Sequence, residues 1–184
     1  GTSADVGLII DGEFGSTTEY EVEWGVPVSA LFIDYTTIGA GGGSIAEVDS
    51  GGFLRVGPKS AGAEPGPACY GRGGTFPTIT DANIVLGRLD SDYFLGGRMK
   101  LKPELAHTAV AELAAELNLK LEETALAILD TAAENMADAI RLMTVERGLD
   151  NRDFGLTAFG GAGSLHASDV AARLDMQLRT CSRT

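Results

Sequence analysis

Residues 154–174, FGLTAFGGAGSLHASDVAARL, decide the class of fold. Residues 154–159 form a short apolar run of strand length. GGAG at 160–163 is a tight turn, and residues 164–174 read as a helix. A strand handed through glycine to a helix is the working unit of α/β proteins. Glycine at that junction also lets a ligand lie flat against the backbone and the helix N-terminus.

Working outward, residues 103–117 and 122–147 are helices. Pro103 fits a first helical position, Glu104 suits the first turn, and Leu105, Ala109, Leu113 and Leu117 make one stripe. Ala125, Ile128, Leu129, Ala132, Met136, Ala139, Ile140 and Met143 repeat the period in the second helix. Its start carries Glu122 and Glu123, and Arg147-Gly148 closes it. Residues 78–86 are a further regular segment. Before them, residues 37–74 are dense in Gly and Pro, yet SIAEVD and FLRV within them are strand-like. Such a segment places backbone close to something. Residues 6–10, 19–24 and 28–34 read as strands, with Tyr20, Val22 and Trp24 sharing a face. The expected architecture is α/β: a mixed sheet begun by this opening meander, helices 103–117 and 122–147 packed on it, and strand 154–159 returning to it.

The 184 residues are 44% apolar and 22% charged, ordinary for a globular chain with a core of its own. The formal net charge of −12 repels phosphate backbones and anionic lipid, which argues against nucleic-acid and membrane-surface partners. Cys69 and Cys181 are far apart and there are two histidines, so no zinc spacing and no disulfide framework is present. With no signal peptide and no apolar run of about 18 residues, the expected location is the cytoplasm. The chain starts at Gly1 inside what reads as a motif, as expected of a fragment of a longer protein.

The segment Gly1-Thr2-Ser3-Ala4-Asp5 has the chemistry for phosphate and a divalent cation: backbone N–H groups and hydroxyls for the anion, a carboxylate for the metal or its water. The other reading is a polar tail. Gly39-Ala40-Gly41-Gly42-Gly43-Ser44 superficially matches a dinucleotide fingerprint, but no helix follows and Asp49 comes too early for a ribose-binding acid. Gly41, Gly42, Gly43 and Asp81 stand instead as candidate substrate contacts, with a helix cap as the alternative for Asp81. His166 falls in the first turn of the last helix, where it either faces a ligand or packs. His107 points away from its helix's stripe and reads as solvated, Glu134 and Asn135 read as boundary polar residues, and Cys69 lacks an activating base.

Taken together, GTSADV (1–6), TIGAGGGSIAEVDSGG (37–52), RVGPKSAGAEPGPACYGRGG (55–74), PTITDANIVLGRLDSDYFLGG (77–97), ENMADAIR (134–141) and FGGAGSLHA (159–167) resemble the hydantoinase A/5-oxoprolinase family. That family includes ATP-dependent N-methylhydantoinases and the acetone carboxylase nucleotide-binding subunit. The resemblance implies the actin, sugar-kinase and heat-shock-chaperone superfamily, with ATP and Mg²⁺ between two ribonuclease-H-like domains. Residues 1–175 would be the second such domain, with 37–74 a Gly-rich insert in it. Gly1, Thr2 and Ser3 would contact phosphate, Asp5 would serve as catalytic and metal residue, and Gly160, Gly161, Gly163 and His166 would lie at the adenosine. The other phosphate loop lies outside the chain, so the isolated fragment is expected to be inactive.

The implied reaction is ATP-driven opening of a cyclic amide such as 5-oxoproline or a hydantoin, with a B-type subunit or domain and the parent chain's N-terminal domain as partners. A ketone carboxylase and a nucleotide-switched assembly or chaperone-like protein are the alternatives. Two departures stand out. Ser164 replaces a common Pro, and residues 176–184 lack the expected apolar strand and read as an atypical tail, native or foreign.

Overall fold

The computed structural model describes residues 1–23 and 26–179, with side chains outside 17–32. The shared face expected of Tyr20, Val22 and Trp24, and Cys181, lie outside the described residues. Helix α1 (Ile79–Val85) starts from a capping box in which Thr78 and Asp81 satisfy each other's backbone N–H. Pro103 opens α2 (Pro103–Leu117), which stops where Asn118 turns left-handed. In α3 (Leu121–Val145) the Glu123 carboxylate accepts from the Lys120 N–H at the start, and left-handed Gly148 follows its end. Helix α4 (Gly163–Arg173) follows the glycine turn.

The strands are β1 (Ala4–Gly7), β2 (Ile9–Ile10), β3 (Glu13–Phe14), β4 (Ser16–Glu23), β5 (Val26–Ile33), β6 (Tyr35–Ile38), β7 (Ser44–Val48), β8 (Leu54–Ser60), β9 (Gly155–Thr157) and β10 (Gln177–Arg179). Among the described residues they form two-stranded pairs rather than one mixed sheet: β1 with β6, β2 with β3, β4 with β5, β7 with β8, and β9 with β10. The expected meander is present, but residues 5–37 form a compact unit of their own. The helices pack instead on the β7–β8 hairpin from the Gly-rich segment. The tail also departs from expectation. Gln177–Arg179 pairs in parallel with Gly155–Thr157, so a strand forms there without an apolar run, its side chains exposed.

The other unit, residues 1–4 and 38–184, holds the core. Ala46 and Val56 of the hairpin meet Ile79 and Ala82 of α1, Val110 and Leu113 of α2, and Ala125, Ile128, Leu129 and Ala132 of α3. Each large aliphatic side chain buried there contributes about 1.5–3 kcal/mol. The alanines along α3 let its neighbours come close. The buried face of α2 is rotated from the expected stripe: Ala106 and Val110 are inside, while Leu105 is exposed. A second cluster gathers Cys69, Ile84, Leu101 and Ala106, flanked by the tilted ring pair Tyr70–Phe94.

Helix α4 is tied to α3 by charge. Arg173 pairs with Asp130 and Glu134, and Arg141 with Glu134 and Asp138. Arg141 also donates to the Arg173 carbonyl at the end of α4. Hydrogen bonding from Arg141 holds the Glu134 carboxyl below its usual range. A depressed carboxyl stabilises the fold above its unfolded-state value and loses that contribution as pH falls. Melts should therefore show a midpoint that drops below about pH 4.5, with a smaller drop in Glu134→Gln. Half-exposure of the carboxylate keeps the effect modest.

Candidate functional site

The turn at residues 39–44 is bonded on every side. Gly43 N–H donates to the Gly1 carbonyl at 2.9 Å, and the Gly43 carbonyl accepts from Ala61 N–H at 2.8 Å. The Gly42 carbonyl takes both the Thr80 N–H, at 2.9 Å, and its hydroxyl, at 2.8 Å. Gly41 N–H donates to Ser44 Oγ at 2.9 Å. A Cβ on Gly41 would stand 2.6 Å from the Gly1 oxygen and 2.8 Å from the Ser3 nitrogen. The structure thus brings together two motifs that the sequence kept apart, residues 1–3 and 41–43. Gly41, Gly42 and Gly43, read in the sequence as candidate substrate contacts, are buried here, and these backbone groups bond to protein partners.

Asp81 is likewise enclosed by protein partners. Its carboxylate is fully buried and accepts from the N–H groups of Ala68, Cys69 and Thr78 and from the Thr78 hydroxyl. Of the two readings the cap is the one observed, and it also anchors the short 3-10 turn Ala68–Tyr70. Burial, with the Asp81 charge beside it, pushes the Cys69 thiol up, so it stays protonated and packs as a small apolar group.

Gly1, Thr2 and Ser3 expose their side-chain faces, as does Asp5, whose Oδ1 accepts from Thr37 Oγ1 at 2.6 Å. Gly160 and Gly161 are exposed, and nothing lies within 4 Å of where their Cβ atoms would stand. Ala162 follows as the N-cap of α4 and supplies no side-chain acceptor. The N–H groups of Gly163 and Ser164 are therefore available to an outside acceptor, while that of Leu165 donates to the Ala162 carbonyl at 3.1 Å. His166 does not share this open face. It is 2% exposed, both ring nitrogens lack a partner, and burial pushes its pKa down, so it is a neutral, packed side chain. His107 is solvated, as its position in the sequence implied.

A cavity of about 520 Å³ opens between β8 and α3. Ile38, Phe53, Val56 and Pro58 supply apolar wall, while Thr131, Asn135 and Asp138 face it from α3. Asn135 Nδ2 donates to the Val56 carbonyl at 3.1 Å. Sequence reading missed this place. Its one signal was the spacing 131, 135, 138, a polar stripe at helical period beside the apolar one. Among the described residues no group of three or more His, Cys, Asp or Glu stands ready to hold a metal, and no helix is long and apolar enough to cross a membrane.

The hydantoinase/oxoprolinase family profile matches residues 1–183. The chain belongs to that family. It is 42% identical to the caprolactamase subunit alpha of Pseudomonas jessenii over 95% of its own length and 25% of the relative's. To the acetophenone carboxylase gamma subunit of Aromatoleum aromaticum it is 45% identical, covering 92% of this chain and 24% of the relative. The crystal structure of the P. jessenii ATP-dependent caprolactamase superposes with a TM-score of 0.86 at 40% identity, covering 96% of this chain and 26% of that one. The chain therefore spans about a quarter of the length of these relatives.

The glycines divide into packed and open ones, and substitution separates them. Gly41→Ala should cost about 2 kcal/mol or more in urea unfolding, because backbone must move to admit the methyl. Gly161→Ala should stay within about 0.5 kcal/mol of the parent. Asp81→Ala, which orphans buried donors, should cost about 3 kcal/mol or more in the same measurement.

Proposed function

We propose that this chain is part of a subunit of a cytoplasmic ATP-dependent enzyme that opens cyclic amides. It would supply the second ribonuclease-H-like half of a split nucleotide-binding fold. The observation that carries this reading is the uncapped N-terminus of α4 behind the open Gly160–Gly161 turn, in a chain whose relatives include an ATP-dependent caprolactamase.

Free N–H groups at a helix start suit a nucleotide's negative charge, and side-chain-free glycines let a flat base or ribose approach. Gly160, Gly161 and Gly163 would hold the nucleotide there, with His166 packed behind them. Gly1, Thr2 and Ser3 would contact phosphate through N–H groups and hydroxyls. Asp5 would hold Mg²⁺: a single exposed carboxylate suits a cation that arrives with the nucleotide's own phosphates. ATP, when bound, supplies the phosphoryl group that makes an amide oxygen a leaving group. The chain's part is to position and to neutralise charge, which needs no nucleophilic side chain. The protonated, buried Cys69 agrees with that division of labour.

The likeness to acetophenone carboxylase favours a second reading, ATP-dependent carboxylation of a ketone. A B-type subunit or domain is the proposed partner in either case, since the relatives are named as subunits.

The test uses the full parent protein with its partner. ADP release from Mg²⁺-ATP is followed with 5-oxoproline, hydantoin, caprolactam, acetone plus bicarbonate, or buffer. Stimulation by a cyclic amide, lost by at least tenfold in Asp5→Ala, is expected; a hundredfold loss is typical for a charge acting on the transition state. Stimulation only by ketone and bicarbonate selects the carboxylase. Equal release across the panel sinks both and leaves a nucleotide-switched assembly.

A further inference from the structure

We propose that the cavity between β8 and α3 seats the ring of a neutral cyclic amide, and that Asn135 is the residue that reads the amide group. This rests on the hydrolase reading above and gives its substrate a place. The volume, about 520 Å³, is in the range of small-molecule sites. Ile38, Phe53, Val56 and Pro58 offer the apolar wall that a saturated ring needs.

The charges around the cavity are already matched. Asp49 holds Arg55 at 2.6 Å and also accepts from the N–H groups of Gly51 and Phe53. Asp138 holds Arg141 at 2.6 Å. Each carboxylate facing the cavity is paired with an arginine, Asp49 with Arg55 and Asp138 with Arg141, which Glu134 shares, so an anionic ligand meets no unpaired cation among these residues and a neutral one loses nothing.

Asn135 is fixed by its Nδ2 bond to Val56, which leaves its carbonyl oxygen and its second N–H for a ligand. A linear secondary amide is trans and holds its N–H and C=O on opposite sides. A small ring forces the amide cis, with both groups on one edge. A carboxamide can then accept from that N–H and donate to that C=O. Asn135 thus favours lactams over linear amides of equal size.

Position supports the assignment. Gly39 and Ala40 belong to the cavity lining, and the same turn at Gly41–Gly43 carries Gly1 and Ser3, the proposed phosphate contacts. The substrate and phosphate places thus share one rigid turn.

The test titrates the parent protein with caprolactam, with hydantoin and with linear N-methylacetamide, reading binding by calorimetry and by ligand-observed NMR. Asn135→Asp and Asn135→Ala are compared with the parent, each shown by circular dichroism to be folded. Lactam affinity is expected to fall about tenfold or more in both variants, with N-methylacetamide binding weakly throughout. If lactam binding depends on Asn135 but no amide stimulates ADP release, the site stands and the hydrolase reading falls. If amides stimulate ADP release and lactam affinity is unchanged in both variants, the hydrolase reading stands and this site is overturned. Failure of the parent protein to bind either ring also overturns it.

Discussion

Everything in the larger unit leans on the absence of side chains at Gly39 and Gly41–Gly43. The carbonyl of Gly1, the N–H of Ala61 and both donors of Thr80 converge on Gly42 and Gly43. At Gly41 the backbone of residues 1–3 lies nearer than any methyl group allows. At Gly39 a Cβ would stand 2.7 Å from Pro58. Chain start, hairpin and α1 therefore meet at one point only because that point is bare backbone. The contact is held by hydrogen bonds to buried glycines, where a misplaced donor costs more than a good bond contributes.

Asp81 repeats the principle with charge. A buried carboxylate is tolerable when its lone pairs are filled, and here the N–H groups of residues 68 and 69 and the N–H and hydroxyl of Thr78 fill them. It sets the height of α1 against the Ala68–Tyr70 turn and so the floor under the hairpin. Together the bare turn and the filled carboxylate make a rigid platform. The two places offered to ligands lie off it: the glycine turn before α4, and the cavity beyond β8. Rigid support behind an open face is what a positioning enzyme requires.

The helices were legible because their apolar periods are long and their ends carry Pro103 and Gly148. A helix-cap role for Asp81 was legible, but its partners at Thr78 and at residues 68 and 69 were not named by it, and the latter two reach Asp81 through space. The glycine runs look alike in sequence, yet Gly41–Gly43 are enclosed and Gly160–Gly161 face open space; only tertiary contact tells them apart. His166 could face a ligand or pack from its helical position, and its burial depends on which face of α4 turns inward. The strand at 177–179 was missed because a short parallel partner of β9 needs backbone pairing and no apolar pattern. Family membership, by contrast, was visible in the order of the motifs, and the profile match along the chain agrees.

The two ends of α4 are treated oppositely. Its last carbonyl is held by Arg141, and Arg173 is clamped by Asp130 and Glu134, while its first turn is uncapped. The negative end of its dipole is thus matched by two guanidinium groups, and the positive end is left facing the glycine turn.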